Sequence, residues 1–226
     1  MINQHENPQA PRRVLIKICG LTRMEDVEAI NAARPDLAGF ILSAGYRRSV
    51  SLRHAVSLAN ALEPSIAIVG VFVNEPPEAV ARFTHAFDYD GGDVARQIFV
   101  QLHGNEDNDY IAELPHVMAY PGWSGIPIIK AFTVRTRHDI EQARKSTADY
   151  VLLDNGRGTG KTFDWSLLQN VGRSYFLAGG LGPSNVASAI ERAHPFAVDM
   201  SSGVETNGIK DPSKIAAAVA AVRSTP

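Results

Sequence analysis

The 226-residue sequence carries a small set of side chains whose types and spacing suit proton transfer beside an anion. Cys19, the only cysteine, closes the apolar run Val14–Cys19 just before Gly20 and the start of a helical stretch. Two readings of it stand. It is a small buried hydrophobe, or a thiol activated by a helix N-terminus and by Lys17, two residues back on the same face of a period-2 strand. A thiolate so placed serves as nucleophile or general base. Asp154 closes another apolar run, Tyr150–Asp154. It is either a carboxylate capping the following loop or a general acid, a task that needs a raised pKa.

Gly179–Gly180 and Ser201–Ser202–Gly203 each follow a strand-like run. Both are ordinary turn compositions, but bare amides and serine hydroxyls at two such places also make a phosphate cradle. Arg47 and Arg48 are solvated charges or a bidentate clamp for a carboxylate. Asp199 is a second acid or a partner for substrate hydroxyls. His103, in the run Gln-Leu-His-Gly, is a turn residue or a substrate contact. An acid, a base and a phosphate cradle suggest proton shuffling on a sugar phosphate. The segment Gly156–Thr162 (GRGTGKT) looks like a nucleotide P-loop, yet that motif needs glycine at position 155, where Asn155 stands. It reads instead as a Gly-hinged loop and candidate lid, with Lys161 in reach of a substrate anion. The seven histidines and single cysteine show no metal-ligand spacing.

What must position these residues is an alternation of short apolar runs and helix-like segments. The strands are Val14–Cys19, Leu37–Leu42, Ile66–Val73, Ile98–Leu102, Pro127–Phe132, Tyr150–Asp154, Tyr175–Ala178 and Phe196–Met200. The third, IAIVGVFV, is apolar throughout, as in a parallel sheet covered on both faces. Helices are expected after Thr22, with Thr22 as N-cap and Glu25 closing a capping box, and over Leu52–Leu62, Glu75–Ala86, Asp107–Leu114, Arg137–Arg144, Asp164–Asn170, Pro183–Arg192 and Pro212–Val222. Eight βα units with no linker between them predict a single-domain (β/α)₈ TIM barrel over residues 14–226, preceded by a flexible extension over residues 1–13. In that fold the chemistry sits on the loops after the strands, where all the residues above stand.

Composition excludes other classes. A net charge of −2 and 20% charged residues speak against nucleic-acid and anionic-membrane partners. No apolar run approaches the roughly 20 residues that span a bilayer, and Met1–Arg13 lacks the apolar core of a signal peptide. A lone cysteine fits a reducing compartment, hence a cytoplasmic location.

The runs KICGLTR with Glu25–Asp26, GFIL…YRRSVS, VGVFVN, VQLHG, DYVLLDN…GTGKTFDW, FLAGGLGPSNV and VDMSSGVETNGIKD, in this order, resemble the phosphoribosylanthranilate isomerases of tryptophan biosynthesis. The resemblance covers nearly all of the chain after about residue 14. It implies a (β/α)₈ barrel that converts N-(5-phosphoribosyl)anthranilate to 1-(2-carboxyphenylamino)-1-deoxyribulose 5-phosphate by an Amadori rearrangement, without a cofactor, as a monomer or homodimer acting on a small-molecule substrate. By the same resemblance Cys19 is the base and Asp154 the acid. Arg48 meets the anthranilate carboxylate, with Arg47 the alternative, since Tyr46 and Arg47 stand where the family has Ser-Pro. Gly179, Gly180, Ser202 and Gly203 hold the phosphate, and Asp199 lies near the substrate hydroxyls. The related aminoaldose isomerase of histidine biosynthesis carries Asp where Cys19 stands. A phosphate-ligand binding module built on Gly156–Thr162 is the reading from outside enzymology.

Overall fold

The computed structural model describes residues 13–87, 97–118, 125–154, 165–168 and 171–225. Eight parallel strands close into a barrel in sequence order: β1 Leu15–Cys19, β2 Leu37–Ile41, β3 Ala67–Phe72, β4 Ile98–Leu102, β5 Ile128–Thr133, β6 Tyr150–Asp154, β7 Tyr175–Leu177 and β8 Ala197–Met200. β8 pairs with β1 from Leu15 opposite Ala197 to Ile18 opposite Met200.

The continuous apolar runs have a simple cause. Alternate residues of each strand face opposite sides, and both sides are dry. One set, including Leu37, Val69, Phe99, Ile129, Leu152 and Phe176, fills the barrel interior. The other, including Ile16, Ile68, Val100, Leu153 and Val198, packs under the helices against Val27, Ile30, Leu58, Phe83 and Ile215. Toward the C-terminal ends of the strands the inward positions turn polar: Lys17, Gln101, Asp154 and Asp199.

The helices are α1 Met24–Ala33, α2 Leu52–Asn60, α3 Pro77–His85, α4 Asn108–Val117, α5 Arg137–Lys145, α6 Val186–Ala193 and α7 Pro212–Arg223. Ser51, Asp107 and Asp211 cap α2, α4 and α7 through their side chains. The expected cap of α1 is displaced by one residue. Arg23 is the N-cap, and the buried Asp26, not Glu25, reaches back to the amides of Thr22 and Arg23 at 2.9 and 3.1 Å. α6 starts at Val186 rather than Pro183, because Asn185 spends its side chain on the preceding loop, accepting from Gly182 N and donating to Gly180 O. Of the helix expected over 164–170, the described part is a four-residue 3₁₀ helix, Trp165–Leu168.

A feature not foreseen is the two-stranded hairpin of β9 Glu205–Thr206 and β10 Ile209–Lys210. Asn207 and Gly208 turn it with φ of 51° and 79°, the left-handed pair that tight hairpins favour. Of the expected extension over residues 1–13, only Arg13 is described, and it pairs with Asp36; the rest lies outside the described residues, as does the segment Gly156–Thr162 with Lys161. Among the described residues no helix is long and apolar enough to cross a membrane.

Candidate active site

A cavity of about 250 Å³ opens at the C-terminal end of the strands. These expected site residues line it: Cys19 from β1, Arg48 from the loop after β2, His103 just past β4, Asp154 ending β6, Asp199 in β8, and the loops carrying Gly179–Gly180 and Ser202–Gly203. Arg47 is not on its wall. A larger cavity of about 690 Å³ lies outside the barrel mouth, around the loops after β4 and β5. It touches neither Cys19 nor Asp154, so the smaller cavity is where the thiol and the carboxyl meet.

Cys19 is 6% exposed, and its room is provided by a neighbouring strand. Gly39 stands opposite it in β2, and a Cβ there would lie 2.9 Å from the Cys19 Sγ. Beside the thiol, the fully buried Lys17 places Nζ 3.0 Å from both carboxylate oxygens of Asp199. Burial pushes the Lys17 ammonium down, but Asp199, and then Cys19, carry it above its ordinary value. Lys17 is therefore charged at neutral pH and adjoins the sulfur, as the strand periodicity had implied.

On the opposite side, His103 Nε2 stands 3.9 Å from Asp154 Oδ2, and Gln101 Nε2 meets His103 Nδ1 at 2.8 Å. The His103 ring is open toward the cavity and crowded elsewhere. That burial holds its pKa below the ordinary 6.5, against the pull of Asp154 and Asp199, so the ring is neutral at pH 7. The Asp154 main chain is tied by Val134 N, which donates to Asp154 O at 2.7 Å.

Arg48 belongs to a charge cluster. Glu205 accepts from Arg47 at 2.7 Å, Arg48 at 2.8 Å and Lys210 at 2.7 Å. Its burial raises its pKa, but the hydrogen bonds from Lys210 and Arg47, with Arg48, bring it to about 2. Three cations on one carboxylate leave this cluster positive, and of the four residues only Arg48 lines the cavity. Arg47 is 56% exposed and also donates to Gly208 O, whereas Arg48 is 25% exposed and faces the cavity. Ile41, Tyr46, Val71 and Val73 add apolar surface next to Arg48. Sequence reasoning missed Tyr46, Gln101, Glu205 and Lys210. The hairpin that places the last two was signalled by Asn207–Gly208.

The glycine loops form the third wall. A Cβ on Gly203 would stand 1.9 Å from Leu181 O, so the loops after β7 and β8 touch backbone to backbone, which only glycine permits. Ser201 Oγ donates to Cys19 O at 2.7 Å, tying this wall to the end of β1. The arrangement offers bare amides for an anion, a cation beside an apolar slot, and a thiol and carboxyl in one cavity.

A family model described as N-(5'phosphoribosyl)anthranilate (PRA) isomerase matches residues 16–221. The N-(5'-phosphoribosyl)anthranilate isomerase of Endomicrobium trichonymphae is 41% identical over 214 residues, 92% of this chain and 98% of the relative. That of Clostridium acetobutylicum is 38% identical over 219 residues, 93% and 98% of the two. Among solved structures, phosphoribosyl anthranilate isomerase from Thermus thermophilus superposes with a TM-score of 0.78 at 31% identity, covering 94% of this chain and all of the other. A phosphoribosyl anthranilate isomerase in complex with reduced 1-(o-carboxyphenylamino)-1-deoxyribulose 5-phosphate gives 0.76 at 34% identity, covering 93% and 98%.

Proposed function

The chain belongs to the N-(5'-phosphoribosyl)anthranilate isomerase family, and from that premise we propose how its cavity rearranges phosphoribosylanthranilate to 1-(2-carboxyphenylamino)-1-deoxyribulose 5-phosphate, a step of tryptophan biosynthesis. The amides of Gly179, Gly180 and Gly203, with the Ser202 hydroxyl, take the phosphate. Arg48 takes the anthranilate carboxylate, and the slot of Ile41, Val71 and Tyr46 takes the ring. Held at both ends, the ribose lies between Cys19 and Asp154.

Asp154 gives its proton to the furanose oxygen as the anilino nitrogen lone pair expels it, breaking the C1′–O bond and leaving a protonated Schiff base. That cation acidifies the C2′ proton, which the Cys19 thiolate removes to give an enolamine. The enolamine takes a proton at C1′ and loses the one on its C2′ hydroxyl, becoming the aminoketone. Lys17, charged and adjoining the sulfur, favours the thiolate, while Asp199 neutralises Lys17 and faces the sugar hydroxyls. Each step needs only a proton donor or acceptor, which the chain supplies. The enzyme acts in the cytoplasm, a location that its single cysteine fits, as a monomer or homodimer.

One observation carries this reading. Two glycine loops, apolar side chains, an arginine, a thiol and a carboxyl border the same cavity. The test is incubation of the purified protein with freshly prepared phosphoribosylanthranilate, following loss of its anthranilate fluorescence. Turnover is expected. A folded sample that leaves the substrate to decay at its spontaneous rate refutes the proposal.

A further inference from the structure

Gln101 is the inward residue of β4 just below His103, and it is 1% exposed. Its Nε2 meets His103 Nδ1 at 2.8 Å, while its Oε1 is buried and has no hydrogen-bond partner among the described residues. Buried amide oxygens without partners are rare in native structures and call for a reason. The register partners of Gln101 are Val71 on β3 and Ile129 on β5, whose side chains offer no donor. Gln101 also lines the cavity shared by Cys19 and Asp154. A molecule bound in that cavity would bring a donor to the side of the barrel that Gln101 lines.

The other half of the amide settles the form of His103. A neutral imidazole carries one N–H, and crowding keeps this ring neutral. With the Gln101 N–H donating to Nδ1, the ring proton is on Nε2, which faces Asp154 Oδ2 at 3.9 Å. The reversed amide would strand both Gln101 N–H groups. We infer that Gln101 is a positioning and specificity residue of this site: its amide N–H fixes His103 as the Nε2–H tautomer facing Asp154, and its Oε1 accepts a hydrogen bond from a hydroxyl of the bound sugar chain. The inference rests on the isomerase reading for the second role and not for the first. In the reaction, Asp154 becomes a carboxylate when it protonates the furanose oxygen, and the Nε2–H is the donor that faces the new charge. The other charged groups around His103 are Asp199, Lys17 and Lys130.

Two measurements test this. In ¹⁵N-histidine-labelled protein without substrate, with His103 assigned by its loss in His103→Asn, the wild type is expected to show a protonated Nε2 and a bare Nδ1. In Gln101→Glu, whose carboxylate cannot donate, the proton is expected to move to Nδ1. A wild-type ring protonated on Nδ1, or one whose tautomer Gln101→Glu leaves unchanged, overturns the positioning role, whatever the substrate proves to be. With phosphoribosylanthranilate, Gln101→Met is expected to raise KM about tenfold or more, by loss of the acceptor, and Gln101→Glu to lower kcat by about tenfold or more. If the wild type turns over and both variants stay within about threefold in kcat and KM, the inference fails while the isomerase reading stands. If the wild type does not turn over, the isomerase reading fails and the tautomer measurement still decides the positioning role.

Discussion

Glu205→Gln removes the one negative charge from a cluster of three cations while keeping the shape of a protonated glutamic acid. The carboxylate accepts from Arg47, Arg48 and Lys210 at 2.7–2.8 Å, and its pKa stands at about 2 against an ordinary 4.5. At about 1.4 kcal/mol per pH unit, that difference amounts to about 3 kcal/mol of stability. The sign follows from the direction. A folded pKa below the unfolded one contributes fully above about pH 4.5 and is lost as pH falls toward 2. Because glutamine stands in for the protonated form, the gap between wild type and variant is expected to be about 3 kcal/mol at pH 7, about 2 kcal/mol at pH 3.5, and near zero at pH 2. Urea unfolding of both proteins across pH 3.5–8 measures it. A gap that does not shrink on the acid side assigns the effect to packing, and no gap at all means the three cations find solvent instead; either result refutes the electrostatic account. Since Arg48 loses its tether in the same variant, KM for phosphoribosylanthranilate is expected to rise about tenfold, the worth of one charge-assisted hydrogen bond, with kcat changed far less.

Other substitutions probe the remaining walls. Cys19→Ser and Asp154→Asn are each expected to cost at least about 10²-fold in kcat with little change in thermal midpoint, the low end for acid–base groups; near-normal turnover in either removes that residue from the mechanism. Gly39→Ala drives a methyl toward the Cys19 Sγ, 2.9 Å from where it would stand, and is expected to lower kcat and to destabilise by about 1–3 kcal/mol, read by steady-state kinetics and thermal unfolding. Gly203→Ala meets Leu181 O at 1.9 Å and must part the two glycine loops, so inhibition by inorganic phosphate is expected to weaken more than kcat falls; unchanged inhibition places the anion elsewhere.

The strands were readable because closing a barrel buries both of their faces, which erases the alternation that makes half-exposed strands ambiguous. The site was readable to the extent that it sits at strand ends: once Cys19 and Asp154 were seen to close apolar runs, the fold itself brought them to one cavity. What escaped was set by contacts far apart in sequence. Glu205 and Arg48 are 157 residues apart, and nothing local to either predicts their pairing. Gln101 reads as an apolar strand's one polar residue until its orphaned oxygen is located. The α1 cap shows a subtler limit: Glu25 and Asp26 both sit in the first turn, and only the backbone path decides which carboxylate turns back. Of the two arginines left open in the sequence, Arg48 lines the cavity and Arg47 does not.

The pairing of Lys17 with Asp199 has a consequence for how the enzyme comes into being. The two residues stand 182 positions apart on the strands whose union closes the barrel. During synthesis the thiol strand leaves the ribosome well before β8, and its lysine meets its counter-ion only once the residue 182 positions later has followed. Until then a cation destined for full burial has no partner, so the early strands gain little by closing prematurely on one another. Completion of the Lys17–Asp199 pair beside the thiol and sealing of the barrel are thus one event.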